Sequence, residues 1–332
     1  MGKEEVMRRK VLIGSLAVVF CMMVVMMAVD AQAAYPEKPI EFVVHSAAGG
    51  GSDIFSRTVA HILEKEGLVK QKINVVNRTG GSGTVAMNYM ADKEGDPHVL
   101  MQFTTGPLNA VLRGGTKAKL EDLVFISMAT MDPNLAFTRT ESQYNDMKSV
   151  IAYALKNPEK VSVAYGTVGG SEHICAHRIM KATKAELNLV GFGGGGPAAV
   201  AILGGHVDLG FGNVEEQMGQ IEGKKIKPLG TMTPERIPFM PNVLTMKEQG
   251  INAVYDQPRG FWAPKGFPDY ALKFWEDVFY KLSQMQAFKD YLNKSYSVNN
   301  FMRHAETKVF ITNFLKELQR DIDELGAYKK KK

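Results

Sequence analysis

Ile40-Glu41-Phe42-Val43-Val44-His45-Ser46-Ala47-Ala48-Gly49-Gly50-Gly51-Ser52-Asp53 is the stretch that decides the fold of this 332-residue chain. Residues 40–44 form a short apolar run of strand length, the glycines a turn, and residues 53–66 a helical pattern. The same succession recurs. Residues 73–76 read as a strand, followed by Asn77-Arg78-Thr79-Gly80-Gly81-Ser82-Gly83 and a helix from Thr84. Residues 99–103 are a third strand, ending in Thr104-Thr105-Gly106-Pro107. The pattern restarts with a helix over 149–156, a strand over 161–165, a glycine loop and a helix over 171–181. Then come a strand over 187–192, four glycines, a helix over 198–203 and a strand over 207–211. Phe310, Phe314, Leu318, Ile322 and Leu325 place one apolar stripe on a C-terminal helix. Strands alternating with helices imply parallel sheets with crossover helices. Two such sets suggest two lobes, with the chain crossing between them near residues 136–138 and 260–263. Residues 34–135 with 260–332 would form one lobe, and residues 136–259 the other.

The glycines fall where strands end and helices begin. Gly49-Gly50-Gly51-Ser52-Asp53, Gly80-Gly81-Ser82-Gly83-Thr84, Gly166-Thr167-Val168-Gly169-Gly170-Ser171 and Gly193-Gly194-Gly195-Gly196 all occupy such turns. Glycine lets a backbone approach a ligand closely, and a helix N-terminus presents unpaired N–H groups to a carboxylate or phosphate. Four such loops, two per half, could face one another across a cleft. Taken singly, each could equally be a tight turn.

Composition removes several function classes. The chain is 45% hydrophobic and 23% charged, which excludes wholesale disorder. Its formal charge of +5 is carried by the ends, and the remainder between residues 34 and 328 holds 32 basic and 32 acidic side chains. No phosphate-binding face, and so no nucleic-acid partner, is expected. Arg8, Arg9 and Lys10 precede an apolar run over residues 11–29, then Asp30-Ala31-Gln32-Ala33-Ala34. That order reads as a secretory signal over residues 1–33 with an Ala-x-Ala cleavage site, implying a periplasmic location; the rival reading is a retained membrane anchor. Removal of the signal leaves Cys175 alone, so no intramolecular disulfide is expected.

Other chemistries find less support. Gly81-Ser82-Gly83-Thr84-Val85-Ala86 matches a dinucleotide-binding fingerprint, but in the second βα turn rather than the first. Neither a P-loop nor a G-x-S-x-G elbow occurs. His173 and His177, four apart on a helical pattern with Glu172 and Cys175 beside them, could face one metal, yet no third ligand is evident. No metal and no cofactor are expected. Ser171 and His173 share a loop and would serve an exported hydrolase, though two residues apart at a helix start they splay about 200° around the axis.

Tyr35-Pro36-Glu37-Lys38-Pro39-Ile40, the loops at Gly49 and Asn77, and the Gly169 to His173 loop resemble the Bug-type solute receptors of tripartite tricarboxylate transporters. So do Leu203-Gly204-Gly205-His206-Val207-Asp208, Pro241-Asn242-Val243 and Trp262-Ala263-Pro264-Lys265-Gly266. The resemblance implies an α/β, type II-like periplasmic binding protein. Each of its two lobes would be a mostly parallel sheet flanked by helices, with the ligand cleft between them. It also implies a monomer without enzymatic activity that captures a small organic carboxylate and delivers it to inner-membrane permease subunits. A receptor that signals to a membrane partner is the alternative use of the same cleft. Carried onto this sequence, the first-lobe candidates are Ser46, Gly50, Gly51, Ser52, Asp53, Gly80, Gly81, Thr104 and Thr105. Those of the second are Gly169, Gly170, Ser171 and Gly195. Asp53 suits a loop organiser, since its charge would repel a carboxylate. The sequence departs from the family pattern at His45-Ser46-Ala47-Ala48, at Phe192-Gly193 and at Gly212-Asn213. With the family's lysine and an aspartate lost there, a mono- or dicarboxylate with an apolar or aromatic body is expected, packed on Phe103 or Phe192. Arg259 would then serve as a compensating bidentate clamp.

Overall fold

A computed structural model describes residues 35–326 except 167, 193 and 194. The signal segment therefore lies outside the described residues. The strands are β1 (Ile40–Val44), β2 (Ile73–Asn77), β3 (Val99–Phe103), β4 (Val124–Arg139) and β5 (Ser162–Tyr165). They continue as β6 (Asn188–Gly191), β7 (Leu209–Asn213), β8 (Ile226–Thr231), β9 (Asp256–Ala263) and β10 (Val298–Met302). The helices are α1 (Gly51–Lys65), α2 (Thr84–Ala91), α3 (Thr105–Leu112), α4 (Met147–Lys156) and α5 (Ser171–Thr183). They end with α6 (Gly195–Leu203), α7 (Val214–Glu222), α8 (Asp269–Gln284), α9 (Gln286–Lys294) and α10 (His304–Glu324).

The main strand order is β2-β1-β3-β9-β4-β7-β5-β6, with β8 and β10 also paired to β4. Parallel pairing is confined to the two ends, β2-β1-β3 and β6-β5-β7. The middle, where β9, β4, β8 and β10 meet, is antiparallel, so the sheet is more mixed than the βα alternation implies. The 16-residue β4 joins the two ends. It pairs with β9 from Val124 to Pro133 and with β7 from Asn134 to Phe137, changing partner between Pro133 and Asn134. Residues 136–138, expected at a crossing, lie within β4 just past that change. Residues 260–263 pair with β3 and β4. Gly260 is required there: a Cβ would lie 2.2 Å from the Ser127 carbonyl oxygen and 2.8 Å from Phe103.

Burial on both faces explains why β1 is apolar at every position but Glu41. Ile40 and Phe42 pack with Phe55, Val59 and Leu63 of α1 and with Trp275 and Phe279 of α8. Val43 points the other way, into a core with Met87, Met101 and Phe103. Trp275 is fully buried, and its truncation to alanine is expected to cost about 3–5 kcal/mol. A third cluster around Leu135, Phe137, Ile202 and Val214 packs the β7 end of the sheet. These packed layers hold the carboxyl ends of β1, β3, β5 and β7 toward one region, where ligands of open α/β sheets bind.

Candidate functional site

Four helices begin at that region: α1 after β1, α3 after β3, α5 after β5 and α7 after β7. Their N-caps are Gly50, Thr104, Gly170 and Asn213, and no side chain caps any of them. The starts of α2, α8 and α9 also lack a capping side chain, whereas α4 has one, the Asp146 carboxylate accepting from the Ser149 N–H at 2.7 Å, so what sets the four apart is that they meet in one place. An uncapped helix start keeps its first N–H groups open to an incoming anion and adds roughly half a positive charge. All four starts line one cavity of about 360 Å3.

The lining brings together Ser46, Gly50, Gly51, Ser52, Thr104, Thr105, Gly170, Ser171 and Arg259 from those expected on sequence. Other candidates stand outside it. Asp53 is buried beneath the loop, where its carboxylate accepts from the Gly49 N–H at 2.9 Å, Asn77 at 2.8 Å and Arg57 at 3.0 Å. Burial raises its carboxyl, but the hydrogen bonds from Arg57, Gly49 and Asn77 outweigh it and leave the group below its ordinary range. Asp53 thus ties the α1 loop to β2. Gly80 and Gly81, both at positive φ, shape the turn into α2. The Gly81 carbonyl accepts from Thr84 at 2.8 Å and Arg113 at 3.1 Å, so this loop supports α3 from behind. Gly169 is one residue back from the lining; its carbonyl accepts from the Asn109 amide and its N–H donates to His173 Nδ1. Gly195 opens α6, after Gly193 and Gly194, which lie outside the described residues.

Sequence reasoning missed His45, Asn109, Glu172, Glu215, Glu216 and Gln257, all of which line the cavity. The α7 start escaped a search for glycines because Asn213 makes that turn. The strand-then-helix order alone would have found it. Phe103 or Phe192 was expected against an apolar ligand body, but Phe103 is buried between Phe125 and Trp262, Phe192 packs on the third core cluster, and no Phe, Tyr or Trp lines the cavity among the described residues.

The charges are unevenly placed. Arg259 is buried, and its Nε and Nη2 both donate to Asp132 Oδ2, the former at 2.7 Å. The guanidinium fork faces Asp132 rather than the cavity, and Nη1 has no partner. Burial works against the Arg259 charge, but Asp132 more than restores it. Glu172, Glu215 and Glu216 have no ion-pair partner among the described residues. Burial pushes the Glu215 carboxyl up to about 7 and raises that of Glu172. Burial, then Arg259, pushes the His45 imidazole down to about 4, so it is neutral near pH 7.

The hydrolytic and metal arrangements do not assemble. His173 lies outside the lining, stacked on Tyr165 at 4.3 Å with Nδ1 accepting from Gly169 at 3.0 Å. His177 turns instead to Glu324, at 2.9 Å. The group His177, Asp321 and Glu324 is already bonded to Arg178 and Lys181.

A mixed α/β sheet flanked by helices, with a polar cavity at its strand ends, defines a protein of the periplasmic-binding-protein class. The family model described as the tripartite tricarboxylate transporter family receptor matches residues 55–327, and the chain belongs to that family. It is 27% identical over 237 residues to protein BugT of Bordetella pertussis, covering 70% of this chain and 72% of that one. Among solved structures, a TctC solute-binding protein from Polaromonas, without ligand, is 25% identical with a TM-score of 0.74, covering 87% of this chain and 99% of that one. An R. palustris protein solved with adipate shares the fold at a TM-score of 0.78 and 20% identity, covering 88% of this chain and 98% of that one. Among the described residues, no helix is long and apolar enough to cross a membrane.

Proposed function

We propose that this chain is an exported receptor that holds a small organic carboxylate in the cavity and delivers it to the permease subunits of a tripartite transporter. The observation that carries the reading is the meeting of four uncapped helix starts in one polar cavity. Helix starts stabilise an anion with fixed dipoles, at no reorganisation cost on binding. Ser171, the one hydroxyl considered as a nucleophile, lines the cavity, while its expected partner His173 is engaged with the Gly169 N–H and stacked on Tyr165.

Residues 34–135 with 260–332 supply the α1 and α3 starts, while residues 136–259 supply α5, α7 and Arg259 of β9. A carboxylate touching both sets binds the closed arrangement better than the open one, and that differential affinity drives closure. Affinity near micromolar, about −8 kcal/mol, is expected. Calorimetry of the exported chain with dicarboxylates, adipate among them, paired with small-angle scattering, tests this. Binding accompanied by a smaller radius of gyration is expected. A chain that binds no carboxylate, or binds one with an unchanged scattering profile, would refute capture or closure respectively.

A further inference from the structure

Away from the ligand cavity lies a larger hollow, a groove of about 1080 Å3 between α10 and residues 112–125. It shares no lining residue with the ligand cavity. α3 touches both, with Thr105 and Asn109 in the cavity and Leu112, at its other end, in the groove. The groove floor is apolar. Phe125 and Leu315 form it at 4% and 7% exposure, Leu112 and Leu123 are half-buried, and Leu120 is 41% exposed.

One wall of the groove is cationic. Lys308, Lys316 and Arg320 line it from α10. With Thr312 they fall four residues apart, so they share one face of the helix in a row about 18 Å long. The acids of α10 are engaged elsewhere: Glu317 and Asp321 pair with Arg178, and Glu324 with Lys181 and His177, all on α5. Lys308, Lys316 and Arg320 take part in no ion pair among the described residues. Glu121, from the segment facing α10, is the one acid in the lining.

Shape and charge select the occupant. The volume stands above the roughly 300–1,000 Å3 of small-molecule sites, and a carboxylate on an alkyl chain would answer one cation of the three. A bilayer is flat and would rest on the rims of a hollow. A helix is a convex cylinder about 10–12 Å across. Its apolar stripe fills an apolar groove, and acids at every fourth position repeat the spacing of the α10 row. We propose that the groove receives an amphipathic helix of a partner protein, its apolar stripe on Leu120, Leu123 and Leu315 and an acidic edge along Lys308, Lys316 and Arg320. Glu121 repels acids on the second edge, so the partner helix is acidic on one side only. The proposal does not rest on carboxylate capture.

The probe is a synthetic peptide of about 15 residues, long enough to hold a helix, with leucine at helical spacing and glutamate along one edge. Its controls are the same composition in scrambled order and the same pattern with lysine for glutamate. Fluorescence anisotropy with the exported chain should show the acidic helix binding about tenfold tighter than either control. Lys316→Glu with Arg320→Glu should weaken it about tenfold, and Leu120→Ser about fivefold. All three positions are exposed, so these variants should melt within about 2 °C of the parent. A scrambled peptide that binds equally well would reduce the contact to net charge and overturn the groove. Binding unmoved by the variants would place it elsewhere on the surface. Tighter capture of hexadecanoate, or of phosphatidylglycerol vesicles, lost in Leu120→Ser, would replace the helix by an alkyl chain or a lipid surface. A chain that sediments as a dimer, and as a monomer in Leu120→Ser, would make the occupant a second copy. No peptide binding at about 1 mM, a strength of only about −4 kcal/mol, would overturn the proposal outright.

Discussion

Replacing Arg259 by alanine removes the positive half of a buried ion pair and leaves the negative half in place. Asp132 is 3% exposed. Its Oδ1 would keep Thr130 at 3.3 Å and Ser297 at 3.0 Å, but its Oδ2 would lose both contacts to the guanidinium. Stranding one member of such a pair costs about 3–5 kcal/mol, which for a chain of this size lowers Tm by roughly 4–8 °C. The loss of affinity in Arg259→Ala would thus be confounded with loss of fold. A second variant, Arg259→Met with Asp132→Leu, removes both charges and should recover stability to within about 1 kcal/mol of the parent. It should not recover binding, because the cationic side chain of the lining is gone. Urea titration and calorimetry on the same preparations separate the two effects. If Arg259→Ala cost less than about 1 kcal/mol, the pair would behave as an exposed one and the reading of its burial would fail. If the double variant bound carboxylate with parental affinity, Arg259 would be a structural residue and nothing more.

The two glycine loops should separate cleanly. Gly51→Val places its side chain between Arg259 and Glu215 at an ordinary φ, so the fold should survive while affinity falls at least about tenfold, 1.4 kcal/mol. Gly81→Val forces φ +57 on a branched residue and brings Cβ to 2.9 Å from Thr84; it should cost about 1–3 kcal/mol of stability and leave the affinity of folded protein within about threefold. Melting curves with calorimetry check both, and lost affinity in the Gly81 variant alone would reverse the assignment. For the ligand-free protein, stability should fall as pH rises. Glu215 and Asp256, pushed up to about 7 by burial, hold protons that an unfolded chain has released above 4.5 and 3.8. His45 works the other way, losing stability as pH drops from 6.5 toward about 4, but two carboxyls outweigh one imidazole. A Tm about 3 °C higher at pH 5.5 than at pH 8 is expected from scans across that range, and a Tm that climbs toward pH 8 would refute the burial of these carboxyls. Intact-mass measurement of the exported protein should give a chain starting at Ala34 or close to it; a full-length species extracted only from membranes would make the apolar N-terminal run an anchor.

What the sequence determined by itself is local. The run Ile40–Val44 and the run Val99–Phe103 became strands with those bounds, because short segments apolar at all positions but one, Glu41 and Gln102 respectively, need burial on both faces. The helix after Gly50 began at Gly51, two residues before the expected start, since the turn itself supplies its first N–H groups. The strand-to-helix turns at Gly50, Thr104 and Gly170 were legible for the same reason: turn chemistry is written in a few adjacent residues. The 16-residue β4 was not. Its Met131-Asp132-Pro133-Asn134 segment shows no clean period, and its extended form depends on pairing with β9 and then β7. Asp132 and Arg259 lie 127 residues apart, and the register of β4 against β9, which sets Thr130 opposite Arg259, brings their side chains together. The meeting of Glu172, Glu215 and Glu216 in one cavity was hidden likewise. A glutamate in a first helical turn reads locally as a residue that suits the dipole. Whether Glu172, Glu215 and Glu216 share a cavity is decided by how α5 and α7 pack on β5 and β7, since no local pattern carries the distance between two separate helix starts.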